Sequence, residues 1–115
     1  MHEYSIVAAL IDQVEQQVHA HNATGVSRLH VDIGELAGVE LDLLATAYDT
    51  FRDGTVCAGA DLEIHPVAAS WRCRGCGRTV PTGSILRCDD CGKPAQLAAG
   101  DEIILSRIEM EVSHV

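Results

Sequence analysis

Cys73-Arg74-Gly75-Cys76 and Cys88-Asp89-Asp90-Cys91 stand eleven residues apart, and each is followed by a glycine, Gly77 or Gly92. A CxxC turn aims two sulfurs at one point, and a glycine behind it permits the tight backbone that follows. Two such knuckles facing each other make a tetrahedral four-cysteine site with a full coordination shell, so the ion is structural and not catalytic. The stretch 69–100 is poor in large apolar side chains, and ligation supplies the free energy that burial would otherwise provide. Zinc is the expected ion. Its rival is iron, because CxxCG knuckles also build rubredoxin-like mononuclear electron carriers, and absorption separates the two: Fe(III)-thiolate is red, zinc colourless. Two disulfides or four idle thiols are the remaining reading, disfavoured by an odd count of five cysteines and a clustered spacing in a chain that looks intracellular.

Outward from the knuckles, both borders read as strands. Leu62 and Ile64 alternate with Asp61, Glu63 and His65, and Pro66 limits that strand or places it on an edge. From Glu102 to Val112, Ile104, Ser106, Ile108, Met110 and Val112 share one face. Consecutive strands often pair, so these two are expected to lie side by side and close the excursion between them. Before them, Ile6, Val7, Leu10, Ile11, Val14 and Val18 recur at helical steps over about Glu3 to His21, stopping near Asn22 and Gly25. Leu29, Val31 and Ile33 alternate as a strand ending at Gly34, and Leu44, Ala47, Tyr48 and Phe51 form a second helical stripe closed by Asp53-Gly54. The expected fold is α+β: a small three-stranded sheet with two helices, residues 1–68 and 101–115, and an inserted zinc-ribbon-like module, residues 69–100.

At 115 residues the chain has room for one small domain with an appended module, which excludes a multi-domain enzyme. Apolar residues make up 47% but aromatics 3%, so the core must be aliphatic. The net charge of −9 argues against tracking a phosphate backbone. Between Arg72 and Lys93, however, five cations (Arg72, Arg74, Arg78, Arg87, Lys93) face two anions. That basic stretch favours a zinc-ribbon nucleic-acid or transcription module as an alternative, against which stand the acidic total and the lack of interleaved aromatics. Glu3 comes early and the apolar run Ile6 to Ile11 stops at Asp12, so no export signal is expected, and no stretch approaches the roughly 20 apolar residues of a membrane span. The expected location is the reducing cytoplasm. No nucleophile–base pair, phosphate loop or open catalytic metal site is visible, so no enzymatic activity is expected.

The chain begins Met1-His2-Glu3. Histidine is too bulky for ordinary removal of the initiator methionine, so a free amine on Met1 is expected. That amine, the His2 amide nitrogen and the His2 imidazole can chelate one ion through adjacent rings, a nitrogen set that selects Ni(II) or Cu(II) over Zn(II). Amides at the start of a helix lack intrahelical partners, so their deprotonation breaks no helical bond, although the helix dipole opposes a bare cation there. The other reading of the same residues is a solvated terminal histidine and a first-turn acid favoured by the dipole. His19, His21, His30, His65 and His114 have no partner at recognisable ligand spacing. Cys57 is expected to be a small buried hydrophobe, and Trp71 to pack at the module junction.

Taken in order, Met1-His2-Glu3-Tyr4-Ser5 opening a helix, Ile33-Gly34-Glu35-Leu36 ending a strand, Gly54-Thr55-Val56 before Ala60-Asp61-Leu62-Glu63-Ile64, and the paired CxxC motifs resemble the HypA/HybF family of hydrogenase nickel-incorporation proteins. The resemblance spans almost the whole chain. It implies a metallochaperone that receives Ni(II) as cargo and passes it, with a HypB-type GTPase, to the large subunit of [NiFe]-hydrogenase, with urease maturation served in some organisms. It further implies that His2 is the nickel ligand, joined by backbone nitrogens of His2 and Glu3 and in some versions by the Met1 amine. A carboxylate at the start of the second helix contributes in some members, and the matching position is Glu40. Gly77 and Gly92 occupy positions where members often carry a histidine proposed to couple the zinc site to pH or nickel, so that role is not carried over.

Overall fold

A computed structural model describes residues 2–81, 85–88 and 90–113, with His2 described by its backbone alone. The chain runs as α1 (His2–Ala20), β1 (Ala23–Gly34), α2 (Leu41–Phe51), β2 (Asp61–Val67), β3 (Ser70–Cys73), β4 (Thr79–Val80), β5 (Ala95–Ala99) and β6 (Ile103–Val112). Two three-stranded sheets result, ordered β2-β1-β6 and β4-β3-β5. The α+β architecture, its two helices and the three strands of its first sheet are those the periodicities predict. The second sheet is not, because strands of two to five residues carry too short a pattern to register.

Val7, Leu10, Ile11 and Val14 of α1 are buried, at the three- and four-residue steps that make one helix face. Asn22 then adopts φ 51°, a left-handed conformation that asparagine tolerates, and turns the chain into β1. That strand begins at Ala23, ahead of the Leu29–Ile33 alternation. Its first half is tied by side chains: Thr24 Oγ1 donates to Glu111 O at 3.1 Å, and Ser27 Oγ to Glu109 O at 3.2 Å. Farther on, Ser106 Oγ donates to His30 O and Gly34 N–H to Glu102 O. The partners run in opposite order, so β1 and β6 are antiparallel. Arg28 pairs with Glu63 and His30 with His65, in the same order along both strands, so β1 and β2 are parallel and α2 lies on the crossover between them.

The central position of β1 corrects one expectation. β2 and β6 are not neighbours; β1 lies between them. The borders of the cysteine stretch are instead gathered by the turn leaving β1: Glu35 N–H donates to Val67 O at 2.8 Å and Leu36 N–H to Gly100 O at 2.7 Å. Proline at position 66 is consistent with the edge place of β2.

Leu44, Ala47 and Tyr48 form the buried face of α2, which packs on α1. Tyr4, in the first turn of α1, meets Phe51 at the last residue of α2 edge-on, with ring centroids 4.9 Å apart. The Tyr48 hydroxyl donates to Ala60 O at 2.7 Å and Arg52 Nη1 donates to the same oxygen at 3.0 Å, fixing the loop that follows α2. Cys57 in that loop is fully buried, and burial pushes its thiol pKa up, which fits an inert core cysteine.

The chain divides into two compact units, one of Met1–Asp32, Val39–His65 and Ile104–Val115, the other of Ile33–Gly38 and Pro66–Ile103. In the second, Gly34 and Gly100 approach so closely that a Cβ on Gly34 would collide with the Gly100 carbonyl and come within 2.6 Å of Asp101 N. Gly100 itself sits at φ +104°, which no other residue adopts without strain.

Candidate functional site

The two knuckles are built alike. In the first, Gly77 N–H donates to Cys73 O at 3.0 Å and Cys73 N–H to Arg78 O at 2.9 Å; in the second, Gly92 N–H donates to Cys88 O at 2.8 Å and Cys88 N–H to Lys93 O at 3.0 Å. Gly77 and Gly92 have φ of 75° and 65°, the left-handed conformation for which the glycine after each CxxC is suited. Each knuckle thus buries its first cysteine, Cys73 or Cys88, and exposes its second, Cys76 or Cys91.

The fold brings all four sulfurs within 4.8 Å of one another. Cys76 Sγ and Cys88 Sγ are 3.9 Å apart, close to the edge of about 3.8 Å that a tetrahedron with Zn–S bonds of about 2.3 Å requires. Gly75 N–H donates to Cys73 Sγ at 3.2 Å, an amide-to-sulfur bond of the kind that stabilises a thiolate. Accordingly the backbone N–H of Cys76, helped by that of Gly75 and opposed by burial, holds the Cys73 thiol down at about 6. Cys91 is pushed up to about 12, because its proton is shared first with Cys76 and then with Cys73. The donor set and spacing therefore fit a divalent ion held by four thiolates, which displaces the shared protons on binding.

Around the cluster, Trp71 and Ala95 pack against buried Cys73, Val80 and Cys88. Trp71 is thus part of the cysteine unit's own small core, where it also pairs in register with Val80 and Leu97. The basic stretch is partly consumed internally: Arg78 of the first knuckle forms an ion pair with Asp90 of the second.

The terminal chelate falls at the start of α1. His2 is the first helical residue and Glu3 the second, so their amides are among the donors that have no intrahelical acceptor. Met1 and His114 lie outside the described residues, as does the His2 side chain. Glu40 is exposed and precedes α2 at its N-cap, with no side-chain capping bond. The Tyr4–Phe51 contact sets the first turn of α1 against the opposite end of α2.

One cluster escapes the reading by spacing. His30, Glu63 and His65 bring their ligand atoms within 4.8 Å of one another, although His30 stands 35 residues from His65 in the chain. A signal for it exists: each alternates with apolar residues on a strand, and parallel pairing of β1 with β2 sets them on one face.

The comparisons with known proteins agree with this architecture. A family model described as hydrogenase/urease nickel incorporation, metallochaperone, HypA matches residues 1–110. A hydrogenase maturation factor HypA from Wolinella succinogenes is 39% identical over 114 residues, covering 96% of each chain. Another, from Shewanella halifaxensis, is 37% identical over 113 residues, covering 96% of this chain and 98% of its own. The solution structure of the Ni metallochaperone HypA from Helicobacter pylori superposes with a TM-score of 0.74 at 29% identity, covering 96% of this chain and 98% of that one. A match that runs through both units and the whole cysteine stretch is one of family and not of motif: the chain belongs to the HypA family of nickel-incorporation metallochaperones for hydrogenase and urease.

Proposed function

We propose that this chain carries Ni(II) at its N-terminus and hands it on for hydrogenase maturation, while zinc in the four-cysteine cluster holds the second unit together. The observation that carries the reading is the start of α1 at His2, within a family match that begins at residue 1. The His2 imidazole, the backbone nitrogens of His2 and Glu3 and the Met1 amine form the nickel chelate, and Glu40, about 16 Å along α2 from the Tyr4–Phe51 contact, is left outside it. Amides in the first turn donate to no helical carbonyl, so metal exchange can proceed one donor at a time without unfolding the helix. Nitrogen donors favour nickel over zinc, and four thiolates fit zinc, which supports two ions on one chain without exchange between their sites.

In this reading the chain transports an ion and transforms no substrate. Its partners are a HypB-type GTPase and the large subunit of [NiFe]-hydrogenase, with urease maturation proteins as a second destination, and its place of work is the cytoplasm. Among the described residues no helix is long and apolar enough to cross a membrane. His2→Ala is expected to weaken nickel binding at least tenfold in calorimetric titration of untagged protein while leaving zinc content unchanged; Glu40→Gln should leave nickel affinity as it is. Nickel affinity unaltered in His2→Ala, or unaltered when residues are added ahead of Met1, overturns the assignment.

A further inference from the structure

The cluster of His30, Glu63 and His65 belongs neither to the cysteine site nor to the terminal chelate. It lies within the first unit and spans adjacent strands, with β1 supplying His30 and β2 supplying Glu63 and His65. From the other side of β1, the β6 residue Glu109 places Oε2 2.7 Å from His30 Nε2. A carboxylate only accepts, so Nε2 carries the proton and donates it. In its neutral form His30 then presents the lone pair of Nδ1 to the opposite side. There stand His65 Nε2 at 3.0 Å and Glu63 Oε2 at 3.3 Å.

Both separations from His30 fit the edges of a coordination polyhedron, and Glu63 and His65 lie within 4.8 Å of each other. Ligand bonds of about 2.0–2.1 Å to nitrogen or oxygen place neighbouring donors about 2.9 Å apart at right angles and about 3.4 Å apart in a tetrahedron. The bond from His30 to Glu109 is the outer support typical of metal-bound histidine: it fixes the tautomer, orients the ring and raises the basicity of the other nitrogen. The His30 contact also lowers the Glu109 pKa, more than any other neighbour does. The two imidazole planes differ by only 5° with centroids 5.3 Å apart, so the nitrogens face each other across one hydrogen bond. An ion entering there displaces the shared proton from His65 Nε2 to His65 Nδ1, so that both imidazoles ligate in their neutral form. Arg28 Nη1, 3.6 Å from Glu63 Oε2, is the cation that competes with it.

We propose that His30, Glu63 and His65 form a further binding site for a divalent transition ion of borderline softness, such as Zn(II), Co(II) or Ni(II), with Glu109 as the residue that positions His30. Two imidazoles and a carboxylate exclude a hard-ion preference for Ca(II) or Mg(II) and leave positions open for water or for a ligand from outside. The site stands whether or not the N-terminus carries nickel.

The test uses the full chain with its cysteine cluster zinc-filled and with His2→Ala in place, so that the terminal chelate is silent. Titration with Co(II) alone, followed by visible absorption, and with Zn(II) alone, followed by calorimetry, should show one further equivalent. Adding His65→Gln or Glu63→Gln should weaken that equivalent at least tenfold, and Glu109→Gln by a smaller factor, with the amide spectrum and cysteine-bound zinc unchanged. Since both β2 positions lie on an edge strand, Glu63→Gln serves should His65→Gln disturb folding. No further equivalent in the His2→Ala protein, or an equivalent indifferent to both β2 substitutions, overturns the proposal and leaves the histidines as a hydrogen-bonded pair on the sheet. Tight nickel binding that persists in His2→Ala after His65→Gln has removed this site would count against the terminal chelate and not against this one.

Discussion

The two units bury different kinds of side chain. In the unit of Met1–Asp32, Val39–His65 and Ile104–Val115, Val7, Leu10, Ile11, Val14, Leu29, Leu44 and Tyr48 are buried across two helices and a strand. In the unit of Ile33–Gly38 and Pro66–Ile103 the buried apolar residues are Ile33, Ala69, Cys73, Val80 and Cys88, two of which belong to the four-cysteine cluster. A large buried aliphatic side chain contributes about 1.5–3 kcal/mol, so the first unit accumulates stability from many modest terms. The second cannot, and its short strands need a covalent-like anchor where the first needs none. What the difference teaches is that apolar burial and metal ligation are interchangeable means of offsetting chain entropy within one small protein.

The strongest test of that contrast removes one ligand. Structural zinc sites contribute roughly 10–16 kcal/mol in isolated zinc-finger peptides, so Cys88→Ser should cost the second unit its order. In amide NMR spectra the resonances of β3, β4 and β5 are expected to lose dispersion while those of α1, α2 and β1 keep theirs. Simultaneous collapse of both sets would break the contrast, since it would make the aliphatic unit dependent on the metal. The complementary change, Leu29→Ala, empties a fully buried position and should lower unfolding free energy by about 2–5 kcal/mol in denaturant melts. The metal content of its four-cysteine cluster should stay unchanged.

Two smaller changes sharpen the comparison inside the cysteine unit. Gly34→Ala sets a methyl group against the Gly100 carbonyl, which as backbone can yield only by moving the chain, and should cost roughly 1–3 kcal/mol in thermal unfolding. Arg78→Ala removes an ion pair whose two side chains are 67% and 57% exposed, and should change stability by about 0–1 kcal/mol with no loss of zinc. A large effect of Arg78→Ala would mean that the ion pair, and not the thiolates, aligns the knuckles.

Much of this was readable along the chain. The helical steps from Val7 to Val14, the alternation from Leu29 to Ile33 and the CxxCG spacing are local patterns, and local patterns survive without knowledge of partners. The Cys57 burial was readable for the same reason, as a lone cysteine beside an apolar helix. The strands of the second sheet were not: Thr79–Val80 is two residues long, and its existence depends on register with Trp71 and Arg72. Adjacency in sequence favours β2 beside β6, whereas the parallel crossover through α2 places β1 between them.

The amino-acid order by itself settled which cysteines meet, which helix faces are apolar and that a histidine stands second in the chain, because each depends on residues a few positions apart. The tertiary structure alone decided that His30 meets His65 and Glu109, residues 35 and 79 positions away. Such contacts arise from strand order and direction, set by the global balance of burial and hydrogen bonding, and no short window of sequence carries that information.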